Sequence, residues 1–404
     1  MNGYRCIACN TEQGADFGGF VCPACGGNLE ITYGYEAIEP GFGAGEGMFR
    51  YASLLPCADP GSTLPLTIGG TPLHRSRRLG ATAGLENVWL KDETGNPSAS
   101  IKDRASAVAL LRAAATGADT VAVASTGNAG SSTACLAAAL GMRAVVFVPE
   151  TAPTAKLTQS LAYGARVLAV RGSYDDACDL CLRACEEQGW FNRSTGFNPF
   201  TREGKKTASF EIWEQLGQVP DRVIVPTGDG NILSGAWKGW RDLYAAGLID
   251  RLPKIDCAQS AGSAAICHAI ESIRASGREP DWRSVNIKSV AARTVADSIS
   301  VDQPRDGLAA VTAVIESGGE AVTVSDDEIL AAIGELASTA GVFAEPAAAA
   351  TWAAAKRLAG DGRVDKDETV VLLITGNGLK DVAAVQVGEP TLVDANPESL
   401  SVLL

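Results

Sequence analysis

Lys102 follows a polar turn, Asn96-Pro97-Ser98-Ala99-Ser100-Ile101, and opens a helical pattern. An amine attacks a carbonyl only in its neutral form, and desolvation beside other positive potential favours that form, so a lysine held this way suits imine chemistry. Most lysines at helix starts face solvent, so Lys102 draws its meaning from its company. Two Gly-rich junctions of strand and helix patterns offer anion sites. Gly228-Asp229-Gly230-Asn231 runs into Ile232–Tyr244, where backbone N–H groups converge at the positive end of a helix, as a phosphate requires. A GxG turn is also an ordinary strand–helix joint, and Asp229 is unhelpful beside a phosphate unless it points away. No Lys-Ser/Thr follows, which argues against a nucleotide P-loop. In the second junction, Ser125-Thr126-Gly127-Asn128-Ala129-Gly130, the N–H groups with the Ser125 and Thr126 hydroxyls could hold a carboxylate, and Asn128 could donate to a cofactor oxygen. One Ser or Thr suffices to cap a helix, so a run of polar and glycine positions favours a ligand. A third junction is Thr375-Gly376-Asn377-Gly378.

Cys6-x2-Cys9 and Cys22-x2-Cys25, with twelve residues between the pairs, can present four thiolates to a tetrahedral Zn2+. Four protein ligands close such a site, so the metal would be structural. Cys178, Cys181 and Cys185 recur at helical spacing, which places them in a core. His74 and His268 are too few and too far from these motifs to anchor a catalytic triad.

The elements that must position these groups alternate. Thr120–Ala124, Arg143–Pro149, Arg166–Val170, Arg222–Val225, Lys254–Cys257 and Thr369–Ile374 read as strands. Ser131–Leu140, Tyr174–Gln188 and Asp326–Ala340 read as helices. The alternation predicts open parallel α/β architecture, whose ligands collect at the carboxyl ends of strands. The chain has 404 residues, enough for two or three domains. We divide it into a zinc-ribbon-like module (1–35), an arm with the first part of a large domain (36–105), a small α/β domain (106–205) and the remainder of the large domain (206–404). With 46% hydrophobic and 20% charged residues the chain reads as globular. A net charge of −13 argues against nucleic acid and anionic membranes as partners. Residues 1–20 carry no leader pattern and no apolar run approaches a bilayer span, so a soluble, cytoplasmic protein is expected. Eleven cysteines without an export signal favour a metal site plus reduced thiols over disulfides.

Taken in order, Lys91-Asp92-Glu93, Asn96-Pro97-Ser98, Lys102-Asp103-Arg104, Ser125-Thr126-Gly127-Asn128, Asn198-Pro199-Phe200, Glu203-Gly204-Lys205-Lys206-Thr207, Pro226-Thr227-Gly228-Asp229-Gly230-Asn231 and Thr375-Gly376-Asn377-Gly378-Leu379-Lys380-Asp381 closely resemble threonine synthase, from about Gly70 to Gln386. The resemblance implies a fold-type-II, pyridoxal 5'-phosphate-dependent lyase of the tryptophan-synthase-β class, with a homodimer as the family habit. It implies that Lys102 is the Schiff-base lysine and the proton carrier. Asn128 would bind the cofactor's ring oxygen, Gly228, Asp229, Gly230, Asn231 and Ile232 its phosphate, and Thr375 its pyridine nitrogen. Ser125, Thr126, Gly127, Asn128 and Ala129 would bind a small amino-acid substrate, and zinc-ribbon-like N-termini also occur in such proteins.

Three departures from the family pattern bear on the substrate: Ala129 stands where threonine is usual, the phosphate loop is one residue shorter, and Thr294–Val301 is closer to the matching stretch of threonine deaminases and serine racemases. Elimination and replacement on O-phosphohomoserine leads. A β-eliminating or β-replacing enzyme acting on phosphoserine, O-acetylserine, serine or threonine is the alternative, and a non-catalytic scaffold comes last. Lys156, Arg202, Lys205 and Lys206 are the cations available to a phosphate, and the ribbon is expected to lie far from the cofactor.

Overall fold

A computed structural model describes residues 1–36, 42–43, 45–57, 63–277, 285–385 and 388–395. The chain opens with β1 (Gly3–Cys6), which pairs antiparallel with β2 (Glu12–Gly14) and β3 (Leu29–Thr32). Alternation buries Leu29 and Ile31 on one face of β3, against the body of the protein.

Next come β4 (Leu73–Arg75), α1 (Arg77–Ala81), β5 (Asn87–Asp92) and α2 (Lys102–Ala115). An alternating run follows: β6 (Thr120–Ala124), α3 (Asn128–Ala139), β7 (Arg143–Pro149), α4 (Thr154–Ala162), β8 (Arg166–Val170), α5 (Tyr174–Gln188) and β9 (Phe191–Asn192). Its strands form a parallel sheet in the order β8-β7-β6-β9. After α6 (Phe200–Leu216), the chain continues through β10 (Arg222–Pro226), α7 (Asn231–Ala245), β11 (Lys254–Ser260), α8 (Ala265–Ala275), α9 (Gly307–Ser317), β12 (Ala321–Val324), α10 (Asp326–Glu335), α11 (Pro346–Gly360) and β13 (Thr369–Ile374). The second sheet has the order β12-β11-β10-β13-β5-β4 and is parallel throughout except where β4 lies antiparallel on β5.

The expected α/β class holds, and each strand read from sequence is present. Central strands β6, β10 and β13 are buried along their whole length, which is why they read as unbroken apolar runs. Leu73-His74-Arg75 is too short to show a period and was not foreseen as a strand. The helix read from Asp326 keeps α geometry only to Glu335 and ends in a π turn, Leu336–Ala340. Among the described residues, no helix is long and apolar enough to cross a membrane.

Two features fix the start of α2. The segment before it pairs with the segment after β13: Ser100 bridges Gly376, and the Ile101 N–H donates to Thr375 O at 2.9 Å. Just inside α2, the buried Arg104 is clamped by Glu93 (2.7 Å) and Glu211 (2.7 Å), while Lys91 donates to Glu211 at 2.7 Å. Losing one partner of such a buried cluster strands a charge at about 3–5 kcal/mol. The Lys91-Asp92-Glu93 motif therefore owes its Lys and Glu to the anchoring of the helix that carries Lys102.

Candidate active site

Lys102 is the first residue of α2 and is half-buried. Burial holds its amine below the usual lysine value; Asp229 and Glu345 pull the other way, and Arg193 reinforces the depression. Asp103 beside it accepts from both the N–H and the hydroxyl of Ser98, at 2.6 Å each, and so fixes the turn.

The Gly228–Asn231 loop caps α7 and reaches this amine. Gly230 has φ +94°, and a Cβ there would stand 2.7 Å from Asp306 O; a Cβ on Gly228 would stand 2.8 Å from Ile299 Cα. Gly228 thus requires glycine for packing, and Gly230 for packing as well as for backbone angle. Asp229 Oδ1 accepts the Asn231 N–H at 3.0 Å, and its negative charge acts on Lys102, Arg193 and Lys205. Ile232, the next residue, packs against the core. Lys205 Nζ donates to Asn231 Oδ1. Burial, then the positive charge of Lys102, drives its amine well below the usual value. Of the four cations considered for phosphate, Lys205 alone meets this loop through its amine. Lys206 is committed to Glu203 and Asp242, Arg202 to Asp306, and Lys156 to Asp297 and Asp381.

On the other sheet, Ser125–Gly127 follow β6 and lead into α3. Neither Ser125 nor Thr126 caps the helix: Gly127 is the cap residue, with no side-chain bond, and Ser125 Oγ accepts the Gly127 N–H at 3.3 Å. The first-turn N–H groups, at Asn128 and Ala129, have no intrahelical acceptor and stay open to an anion. Asn128 Nδ2 donates to Glu345 Oε2 at 2.8 Å. Thr375 is buried at the end of β13, with its carbonyl on the Lys102 turn.

Glu345, which sequence reasoning missed, precedes Pro346 at the start of α11. Burial pushes its carboxyl above the usual range, opposed by the Asn128 bond and by Lys380 and Lys102. Ser298 Oγ also donates to it at 3.3 Å, which sets the Thr294–Val301 stretch against the site. One signal was available: a single acid in the apolar run Val342-Phe343-Ala344-Glu345-Pro346-Ala347. Lys380 was likewise unassigned; its amine donates to Ser131 Oγ (3.0 Å) and Gln159 Oε1 (2.5 Å), across from β13 to α3 and α4. His74 and His268 lie outside the site, on exposed positions of β4 and α8.

The four cysteine sulfurs of Cys6, Cys9, Cys22 and Cys25 lie within 4.8 Å of one another. Tetrahedral zinc with bonds of about 2.3 Å spaces its sulfurs by about 3.8 Å, so the donor set fits that ion. The expected distance between ribbon and cofactor site is not observed. Asn28 Nδ2 donates to Asp306 Oδ1 (2.9 Å), and Asp306 Oδ2 accepts from Asn231 Nδ2 (2.9 Å) and Ser234 Oγ (2.7 Å). Arg202 joins the two sides, donating to Leu29 O at 3.0 Å and to Asp306 at 2.5 Å. Phe20 packs edge-on against Phe191, Phe197 and Phe200. One carboxylate, Asp306, links the ribbon's Asn28 to Asn231 of the Gly228–Asn231 loop.

Residues 64–376 match the family described as pyridoxal-phosphate dependent enzyme. Threonine synthase of Methanocaldococcus jannaschii is 38% identical over 95% of this chain and 95% of its own. The threonine synthase of Methanosarcina acetivorans is 37% identical over 98% of this chain and 97% of its own. The chain belongs to the threonine synthase family. It is accordingly a pyridoxal-phosphate-dependent lyase of threonine-synthase-like function. Its fold is shared with the processed threonine deaminase isoform 2 of Solanum lycopersicum, with a TM-score of 0.66 at 22% identity over 84% of this chain and 89% of that one.

Proposed function

We propose that this family member converts O-phosphohomoserine and water to threonine and phosphate, with the cofactor carried on Lys102. The observation that carries the reading is the convergence of two anion loops on Lys102, whose amine is held below the usual lysine value by desolvation. The site fits pyridoxal 5'-phosphate: Gly228 and Gly230 bring bare backbone to the loop on either side of Asp229, whose carboxylate takes the Asn231 N–H, and Lys205 beside it is a buried cation bonded to Asn231. Gly228–Ile232 with Lys205 would hold the cofactor phosphate, Thr375 would meet the pyridine nitrogen, and Asn128 would exchange Glu345 for the ring oxygen. The cofactor supplies an electron sink for charge developing next to the amino group.

The chain's own residues do the rest. Thr126, Ser125 and the N–H groups of Gly127 through Ala129 take the substrate carboxylate and orient Cα towards the Lys102 amine. A neutral Lys102 accepts the Cα proton and returns protons during replacement. Lys380, bonded across to Ser131 and Gln159, keeps the two sheets together over the cleft and excludes water. We assign structural Zn2+ to Cys6, Cys9, Cys22 and Cys25, a cytoplasmic homodimer as the working form, and the four-part division at 35, 105 and 205. The position of Ser298 on Glu345 favours a second reading, β-elimination from a shorter amino acid.

A substrate panel separates the two. O-phosphohomoserine, phosphoserine, threonine and O-acetylserine are incubated with the holoenzyme, and phosphate, threonine and keto acid are measured. Equal yields of threonine and phosphate from O-phosphohomoserine support the first reading; keto acid from phosphoserine or threonine, with no threonine formed, supports the second.

A further inference from the structure

Four arginines are buried among the described residues: Arg104, Arg193, Arg202 and Arg222. Three are neutralised at contact distance, Arg104 by Glu93 and Glu211, Arg202 by Asp306, and Arg222 by Asp256 and Glu368. Arg193 has no carboxylate partner. It is 0% exposed. Its Nε donates to Ser106 Oγ at 3.0 Å and its Nη1 to Thr195 Oγ1 at 2.8 Å, while Nη2 has only the carbonyl of Lys102 at 3.5 Å. A guanidinium carries five N–H donors in a planar fork that matches an oxyanion, so part of the fork is unspent. Burial holds its pKa down to about 10, against the opposing pull of Asp103 and Asp229, neither of them at contact distance.

Its position explains why such a cation is kept. Arg193 directly follows β9, which pairs in parallel with β6, and its N–H donates to Ala122 O at 2.9 Å. It therefore leaves the sheet at the same end as Ser125–Gly130, and its side chain lies along the start of α2, where it meets Ser106 Oγ and the carbonyl of Lys102. Lys102, Lys205 and Arg193 repel one another, and the negative charge of Asp229 acts on all three. Lys205 binds Asn231, on the side of the cofactor phosphate, whereas Arg193 lies on the side of Lys102 and the substrate loop. Like charges gathered in a buried space are stable only when an anion joins them.

We propose that Arg193 anchors the phosphate monoester of the substrate and so selects for a phosphate leaving group; the inference rests on the O-phosphohomoserine reading above. The guanidinium holds the departing phosphate dianion while the C–O bond breaks and carries no proton itself.

The test uses the holoenzyme and two non-reacting analogues, the phosphonate isostere of O-phosphohomoserine and norvaline, which lacks the anion. Both are titrated by their effect on the cofactor absorbance. Arg193→Gln should weaken the phosphonate at least a hundredfold, leave norvaline within threefold and leave the affinity for the cofactor unchanged. Arg193→Lys, which keeps a point charge, should recover part of the phosphonate affinity. Unchanged phosphonate binding in Arg193→Gln overturns the proposal. Equal losses of cofactor affinity in both variants also overturn it, because Arg193 would then serve the cofactor's phosphate or the fold. A wild-type enzyme that binds both analogues alike refutes the O-phosphohomoserine reading and the anchor together. Should Arg193→Gln not fold, the lysine variant decides: wild-type phosphonate affinity, or a parallel loss of norvaline affinity, counts against the anchor.

Discussion

The Gly228–Asn231 and Ser125–Gly130 loops both lead from a buried strand into a helix, yet they are held in opposite ways. The first is packed from behind. A Cβ on Gly228 would run into Ile299 and one on Gly230 into Asp306 O, the Asp306 N–H donates to Asp229 O at 2.8 Å, and Asp306 ties Asn231 to the ribbon. The second is nearly free at its centre, where a Cβ on Gly127 would meet nothing within 4 Å. Only its far end is tight, since a Cβ on Gly130 would stand 2.6 Å from Ser125 O. The packing difference suits the proposed roles, in which the first loop would cradle a resident cofactor and the second would close on a substrate that comes and goes.

Substitutions that exchange these properties test the contrast. Asp306→Ala should have the largest effect. It leaves Arg202 buried without its partner, costing about 3–5 kcal/mol of stability, and it severs the ribbon from the loop. Denaturant midpoints and cofactor titration should fall together; a loss of stability with cofactor affinity intact would break the link. Stripping the metal should act along the same path and weaken cofactor binding, whereas Asn28→Ala should make cofactor affinity less sensitive to the metal.

Gly230→Val comes next. Its side chain must enter Asp306 O from a positive φ, so cofactor affinity should drop a hundredfold or more, about 2.7 kcal/mol. The cause is the packing behind the loop as much as the approach of the phosphate. An unchanged dissociation constant in a cofactor titration would remove Gly228–Asn231 from the account. Thr126→Val, in the freer loop, should weaken substrate about tenfold, by about 1.5 kcal/mol for one bond to a charged group, and leave the cofactor alone. Gly127→Ala should shift cofactor affinity by less than about 0.5 kcal/mol, a typical surface-scale change. Equal effects of Gly127→Ala and Gly230→Ala on cofactor affinity would erase the distinction between the loops.

A pH experiment sharpens it further. Burial lowers the amines of Lys102 and Lys205 below 10.5, so the unfolded chain binds more protons than the folded apoprotein between those lowered values and 10.5. Apoprotein stability gained from these two groups therefore rises with pH through that window, by about 1.4 kcal/mol for each unit of depression. Lys205→Met should flatten the slope of denaturation free energy against pH in the apoprotein. An unaltered slope would show that Lys205 is not a strained cation awaiting phosphate.

The two loops themselves were legible in the sequence, because loops between a strand and a helix announce themselves through local spacing; the difference in how they are held was not. The cysteine pairs and the buried strands were legible for the same reason. What supports the loops was not. Glu345 meets Asn128 from 217 residues away, and Asp306 meets Asn231 from 75. A single acid has no period, so its burial emerges only when distant helices pack. Arg193 escaped notice in the same way: one arginine after a two-residue strand looks like any surface charge. The ribbon was expected far from the cofactor because sequence distance stood in for spatial distance, and Asn28, Leu29 and Phe20 dock on α6 and the segment before α9 instead.

The central claim is that Lys102 carries the cofactor. Borohydride reduction of the holoenzyme, followed by digestion and mass mapping, tests it most directly. The account expects the visible absorbance band to bleach, one pyridoxyl group per chain to appear on the peptide containing Lys102, and Lys102→Ala to lose the label while staying folded. A label on Lys205, Lys380 or any other lysine, with Lys102 unmodified, would contradict it.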